Sequence, residues 1–377
     1  MAVESVDSPI LPGLVTQHVE RASAALAEFG SDGLFLFRDS NILAFCGVPL
    51  APSDRLVCGL LNRQGDIALV VPVFEAEIAD TLPAGAHLIT WKDAEDAYAA
   101  VAKAADLLGL SSGKILLDDH TWLATQHRLA QVLPKAELTI DPGVIAKVRS
   151  TKSPEEVDAM RTASEDTGRI YPLIAKHLQT GVSELELGRQ VLGELKAAGL
   201  MPVGDLIQGG ENASVPHRPA GPRLFRNGDA VIVDFVCRHQ GYLGDLTRTF
   251  VIGAPSEDIK RAYRVVRDAQ RTAIDFIRPG VACEDVDAVA RSVIDSAGFG
   301  EYFSHRLGHG IGLDVHEPPY LVQGNPQRLE VGMCMTIEPG IYVPGCFGIR
   351  IEDVVAVTPD GCEVLSRDVP TDVSDFS

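Results

Sequence analysis

Five side chains attached to apolar, strand-like runs carry the chemistry of this chain. Asp234 ends the run Ala230-Val-Ile-Val, and Asp245 opens Asp245-Leu-Thr-Arg. The segment Ala230–Phe250 folds naturally as a hairpin around a polar turn near Arg238–Gly241, and a turn centred on His239–Gln240 pairs Asp234 directly with Asp245. Direct cross-strand neighbours have Cβ atoms about 4.5–5.5 Å apart, and like charges there are destabilising. The apolar residues before Asp234 argue for burial, and buried paired carboxylates need a proton or a cation. The segment His305-Arg-Leu-Gly-His309-Gly-Ile-Gly-Leu-Asp-Val-His316-Glu gathers three histidines among glycines that permit close backbone approach. Glu338 follows the apolar run Met333-Cys-Met-Thr-Ile, and Arg350 and Glu352 stand two apart, on one face of a strand.

Asp234, Asp245, Glu338 and Glu352 together carry four negative charges, which two divalent cations balance, with His309 as a neutral ligand. Carboxylates with one imidazole suit a hard or borderline ion, Mn²⁺ first, with Co²⁺ and Zn²⁺ as alternatives. The chain as a whole is acidic, with 33 Lys and Arg against 52 Asp and Glu and a net charge of −19. That balance disfavours nucleic acid and anionic membranes as partners, since both are bound through basic patches. Seven cysteines without a CxxC spacing fit free thiols in a reducing compartment, so a cytoplasmic protein is expected. The N-terminus lacks the pattern of a leader peptide, and no apolar run reaches about 20 residues, so no membrane span is expected.

The elements that must position these groups fall into two parts. Residues 1–140 alternate strand-like runs (Gly33–Arg38, Leu56–Asn62, Asp66–Phe74, His87–Trp91, Lys114–Asp119, Glu137–Ile140) with helical patterns near Thr16–Phe29, Asp93–Leu108 and Trp122–Val132. This predicts an α/β domain. A linker is expected over 141–153. Ser153-Pro154-Glu155-Glu156 then starts a helix running to Leu178, with Ser at the N-cap, Pro at N1 and Glu at N3. Residues 154–377 repeat weakly. Gly181-Val-Ser and Gly280-Val-Ala each lead into a helix ending at Ala-Gly, each follows a longer helix, and each precedes a β-rich segment. Two helix-helix-strand halves are expected, one supplying the two Asp and the other the two Glu.

These residues resemble the pita-bread metallopeptidases, the family of proline dipeptidase (prolidase), aminopeptidase P and methionine aminopeptidase. The His305–Glu317 segment is similar to the proline-peptidase signature throughout. Asp234…Asp245-Leu-Thr-Arg, Glu338-Pro-Gly and Arg350-Ile-Glu352-Asp resemble the other metal motifs. The resemblance runs from about Val144 to Val357, and the first 140 residues resemble the N-terminal domain of prolidase, aminopeptidase P and creatinase. It implies an α+β class: a duplicated pita-bread domain behind a creatinase-like α/β domain. It also implies Asp234, Asp245, His309, Glu338 and Glu352 as ligands of two metal ions, with Asp245 and Glu352 shared by both, and a homodimer. Three positions depart from the family's habit: Val236 for a small Gly, His239 for an aromatic and Gly244 for Ser.

The activity so implied is hydrolysis of the bond preceding proline. Glu338 serves as proton carrier, His217 and His316 stabilise the oxyanion, and His305 and Arg350 contact the substrate. Arg350 has a second reading, as the residue that holds Glu352. A dedicated peptidase is chemically reasonable because the X–Pro amide has no N–H to recognise. Xaa-Pro dipeptides are the first expected substrate and longer Xaa-Pro peptides the alternative. A metal-free creatinase-like hydrolase and a non-catalytic binding relative fit less well, because all five ligands are retained.

Overall fold

The computed structural model describes residue 10 and residues 12–50, 53–200, 202–366 and 369. Residues 1–9, on which the expectation of no leader peptide rests, lie outside them. Contacts divide the chain into two units, Met1–Arg149 and Ser150–Ser377.

The first unit runs α1 (Pro12–Glu28), β1 (Gly33–Leu36), α2 (Asp39–Cys46), β2 (Cys58–Asn62), β3 (Ile67–Pro72), β4 (His87–Trp91), α3 (Ala97–Leu107), β5 (Ser112–Leu117), α4 (Leu123–Val132), β6 (Lys135–Ile140) and α5 (Val144–Ser150). Its six strands form one mixed sheet in the order β4-β3-β2-β1-β5-β6. Every strand-like run of the sequence becomes a strand. Helix α2 was not foreseen, because eight residues with five of them buried show no clear helical periodicity. The stretch expected as a linker contains α5.

The second unit comprises α6 (Pro154–Gly168), α7 (Ile170–His177), α8 (Glu184–Ala197), β7 (Pro202–Gly209), β8 (Ala230–His239), β9 (Tyr242–Val251), α9 (Glu257–Phe276), α10 (Cys283–Ser296), β10 (Gly308–Gly310), β11 (Glu317–Leu321), β12 (Cys334–Ile337), β13 (Gly340–Val343), β14 (Phe347–Arg350), β15 (Asp353–Thr358) and β16 (Gly361–Val364). Ser153 caps α6 in a full capping box with Glu156. The single helix expected to Leu178 is instead two, broken at Arg169. Pro172 lacks the N–H that would bond Gly168, and its ring crowds that carbonyl.

The duplication appears in matching hydrogen bonds. Gly181 N–H donates to Phe225 O and Phe225 N–H to Val182 O; Gly280 N–H donates to Leu329 O and Leu329 N–H to Val281 O. Gly181 and Gly280 share φ values of 89° and 87°, which favour glycine. One apolar core joins α7 and α8 to the sheet β7-β8-β9, and another joins α9 and α10 to the strands from β11 to β16. The sheets meet at a bridge between Thr247 and Glu352. Among the described residues, no helix is long and apolar enough to cross a membrane.

Candidate metal centre

The β8–β9 hairpin closes on Gln240 and Gly241, both at positive φ (46° and 84°). That is the backbone of a two-residue type I′ turn. The turn lies one position later than the sequence suggested, so Asp234 pairs with Thr247, and Asp245 with Val236. The expected direct pairing of the two Asp is therefore corrected to a diagonal one. A shift of two leaves both on the same face, because side chains alternate with period two. The charge of Asp234 still acts on the Asp245 carboxyl across the strands.

The three departures from the family's habit have local explanations. Val236 faces Gly204 on β7, where a Cβ would stand 3.6 Å from its Cγ2, so the larger residue fills room left across the strand. A Cβ on Gly244 would stand 2.4 Å from Ser164 N, so α6 passes too close for a Ser there. His239 stands 3.6 Å from Asp166.

The second half supplies the other groups. His309 sits in β10, wedged between β11 and β12. A Cβ on Gly308 would fall 1.9 Å from Thr336 O, and one on Gly310 2.3 Å from Pro318 O, so glycine on both sides makes the wedge possible. The His309 N–H donates to Thr336 Oγ1, whose hydroxyl donates to Glu338 Oε1. The His309 Nδ1 lies 3.1 Å from Gly310 O and donates its proton there. Nε2 is left with a lone pair, 3.2 Å from Glu338 Oε1. Two acceptors at that distance need a cation or a proton between them.

Asp245, His309 and Glu352 are buried and offer ligand atoms within 4.8 Å of one another. Asp234 and Glu338 stand at the edges of this trio, Asp234 paired with Arg350 at 2.7 Å and Glu338 with His309. Burial, reinforced by the charges of Asp234 and Glu338, pushes the Asp245 carboxyl well above the usual range. Burial and the neighbouring carboxylates do the same to Glu352. Burial also acts on Glu338, but the His309 ring facing it and the Arg350 guanidinium bring it down to about 2. Four oxygen donors and one imidazole against a single buried guanidinium match the donor set of a hard divalent ion.

Arg350 uses all three nitrogens within the protein. Nη2 donates to Asp234 Oδ2 (2.7 Å), Nε to Thr247 Oγ1 (3.2 Å) and Nη1 to the Tyr342 hydroxyl (3.0 Å). Thr247 in turn donates to Glu352 Oε2 at 2.6 Å. This favours the holding role over the contact with substrate. His305 is also engaged: Nδ1 donates to Arg306 O, and Nε2 accepts from Tyr342. Burial lowers the pKa of His305, and burial, with the His309 ring and the Arg306 guanidinium beside it, lowers that of His316 to about 4, so both rings are neutral near pH 7. The His316 ring meets that of His309 edge-on, with centroids 4.2 Å apart. His217 stands at the tip of a turn, exposed.

All nine residues singled out from the sequence line one cavity of about 350 Å³, with Gly204, Leu206, Pro216, Val236 and Val315 as its apolar wall. Thr247, Thr336 and Tyr342 were not foreseen. They are ordinary residues of apolar strands, and only the pairing of those strands brings them to the site.

Residues 158–359 match the family described as Metallopeptidase family M24, and residues 18–151 match the Creatinase/Prolidase N-terminal domain. The chain belongs to metallopeptidase family M24. Among its relatives in this family, the Xaa-Pro dipeptidase of Lactobacillus helveticus is 33% identical over 362 residues, covering 93% of this chain and 96% of that one. The dipeptidase PepE of Mycobacterium ulcerans superposes with a TM-score of 0.89 at 32% identity, covering 97% and 99% of the two chains. The prolidase of Thermococcus sibiricus superposes at 0.87 and 32%, covering 96% and 97%. This M24 chain thus has the creatinase-like and pita-bread architecture, and it is a metallopeptidase using divalent metal.

Proposed function

We propose that this metallopeptidase hydrolyses the peptide bond preceding proline in Xaa-Pro dipeptides. The convergence of five ligand-type side chains and three histidines on one small cavity carries this reading. About 350 Å³ lies at the lower end of the usual range for ligand sites, roughly 300–1,000 Å³, which suits a dipeptide. The relatives named for dipeptidase and prolidase activity match the chain over nearly its whole length.

Asp234, Asp245, His309, Glu338 and Glu352 would hold two divalent ions, Mn²⁺ first among them. Such ions lower the pKa of water and supply a nucleophile at neutral pH. Glu338 takes the proton of the attacking water as the C–O bond forms and then passes it to the leaving proline nitrogen as the C–N bond breaks. His316, which is neutral, offers an N–H to the carbonyl oxygen as it gains charge, and so does His217. Arg350 holds Asp234 directly and Glu352 through Thr247, while Tyr342 fixes both Arg350 and His305. The catalytic part is placed in 154–377 and the creatinase-like part in 1–140. The reading includes a cytoplasmic homodimer, and seven free thiols agree with a reducing compartment.

The test is turnover of Ala-Pro against Ala-Pro-Ala, before and after chelation and with Mn²⁺, Co²⁺ or Zn²⁺ restored. Ala-Pro should be preferred, and chelation should remove the activity. Preference for the tripeptide would give the aminopeptidase P reading, and activity indifferent to chelation would sink the metal mechanism.

A further inference from the structure

His217 is carried by a loop, and the loop is gripped from two sides. It leaves β7 at Gly209, makes a 3₁₀ turn over Gly210–Ser214 and reaches the β-turn Val215-Pro216-His217-Arg218, closed by Arg218 N–H to Val215 O at 3.1 Å. Pro at the second position presets this turn, and His217 occupies the third. Glu184, fully buried, grips the base by accepting from Gly209 N–H (2.8 Å), Asn212 Nδ2 (3.0 Å) and Gly221 N–H (2.8 Å).

The tip is held by Gln208, also fully buried. Its Nε2 lies 3.1 Å from Val215 O, 3.1 Å from Pro216 O and 2.7 Å from Arg218 O. Pro216 O belongs to the peptide that enters His217, and Val215 O and Arg218 O lie on the next peptides out at either side. Turning the amide over would set its oxygen against three carbonyl oxygens, so the nitrogen must face the loop. The other end, Oε1, is buried and has no hydrogen-bond partner among the described residues. A buried amide that leaves its oxygen unsatisfied is costly, and an apolar residue would pack there without that cost. What the apolar residue could not do is donate to the turn.

We infer that Gln208 is a positioning residue for His217, clamping the β-turn that carries the imidazole to the cavity. The inference rests on the role given to His217 above. The clamp fixes the peptide plane entering His217 and brackets the turn at Val215 and Arg218, which limits the direction of the His217 side chain, and a site displaced by about 1 Å loses much of its rate.

A double-mutant cycle tests it with Ala-Pro as substrate and Mn²⁺ present. Gln208→Leu should lower kcat about tenfold with little change in KM, as expected for the loss of donors that orient a group acting in the transition state. In a His217→Asn background the same change should cost less than about twofold, because the group it positions is gone. Equal losses in the two backgrounds would overturn the inference. Gln208→Glu sets a carboxylate against the three carbonyls and should be worse than Gln208→Leu; equal or better activity would count against the clamp. Should either variant fail to fold, the other still decides. A second readout needs no activity. In Gln208→Leu, hydrogen exchange at the Val215 and Arg218 amides should speed up while the β8–β9 hairpin is unchanged, and unaltered exchange at both amides would also overturn it. A wild-type protein inactive on Ala-Pro would sink the proposed function and leave the exchange experiment to judge the clamp.

Discussion

Tyr342 illustrates how a single hydroxyl can join two functional groups. It accepts from Arg350 Nη1 and donates to His305 Nε2. Burial raises its pKa to about 12, against the opposing effect of Arg350, so it stays a proton donor at working pH. Tyr342→Phe keeps the ring and removes both bonds. Hydrogen bonds to charged groups are worth roughly 1.5–3 kcal/mol, so kcat/KM on Ala-Pro should fall about tenfold or more with little change in fold. An unchanged rate would show that Arg350 is held well enough by Asp234 and Thr247. The carboxylates were legible from the sequence because acids attached to apolar strands are anomalous. Tyr342 and Thr247 were not, because nothing in a strand's own composition says which polar group it will meet.

At the scale of elements, periodicity located the strands of the first unit, and glycine and helix-start signals located α6, α8 and α10. What periodicity does not carry is register. The β8–β9 hairpin was read two positions out because a turn centred on Gln240-Gly241 and one centred on His239-Gln240 differ only in which residues adopt positive φ. The face of the carboxylates survived that error, and their direct pairing did not. The break between α6 and α7 was a missed proline signal rather than a missing one. Strand β10 is a tightly constrained element of the site. Gly308→Ala would drive a methyl group into Thr336 O, only 1.9 Å away, and force β10 from β12. Overpacking of this kind costs about 1–3 kcal/mol or more. At roughly 2–4 °C per kcal/mol, the melting temperature should fall by about 3–10 °C, with loss of metal affinity as His309 moves. A variant with wild-type melting and metal uptake would show that β10 can yield.

For the whole molecule, the acidity divides into a surface part and a local part. Two divalent ions on the cluster would bring the net charge from −19 to about −15. Their binding is also a stability term, since an ion held only by the folded state adds about 2.7 kcal/mol at a hundredfold excess over Kd. Chelation should therefore lower the melting temperature of the catalytic unit by roughly 5–10 °C. Asp245→Asn removes a ligand but also a buried charge, so its melting should no longer respond to metal while the chelated form is at least as stable as chelated wild type. A metal-dependent shift that persists would place the ion elsewhere. Thr247 and Glu352 meet across more than a hundred residues of chain, and a contact so distant in sequence is costly to close until the segments between have folded. The ligands come from both halves and converge at that contact, so a chain with only one half folded holds two or three of the five ligands. Ion uptake during refolding is therefore a clock for the last docking event, and it should lag the appearance of secondary structure rather than accompany it.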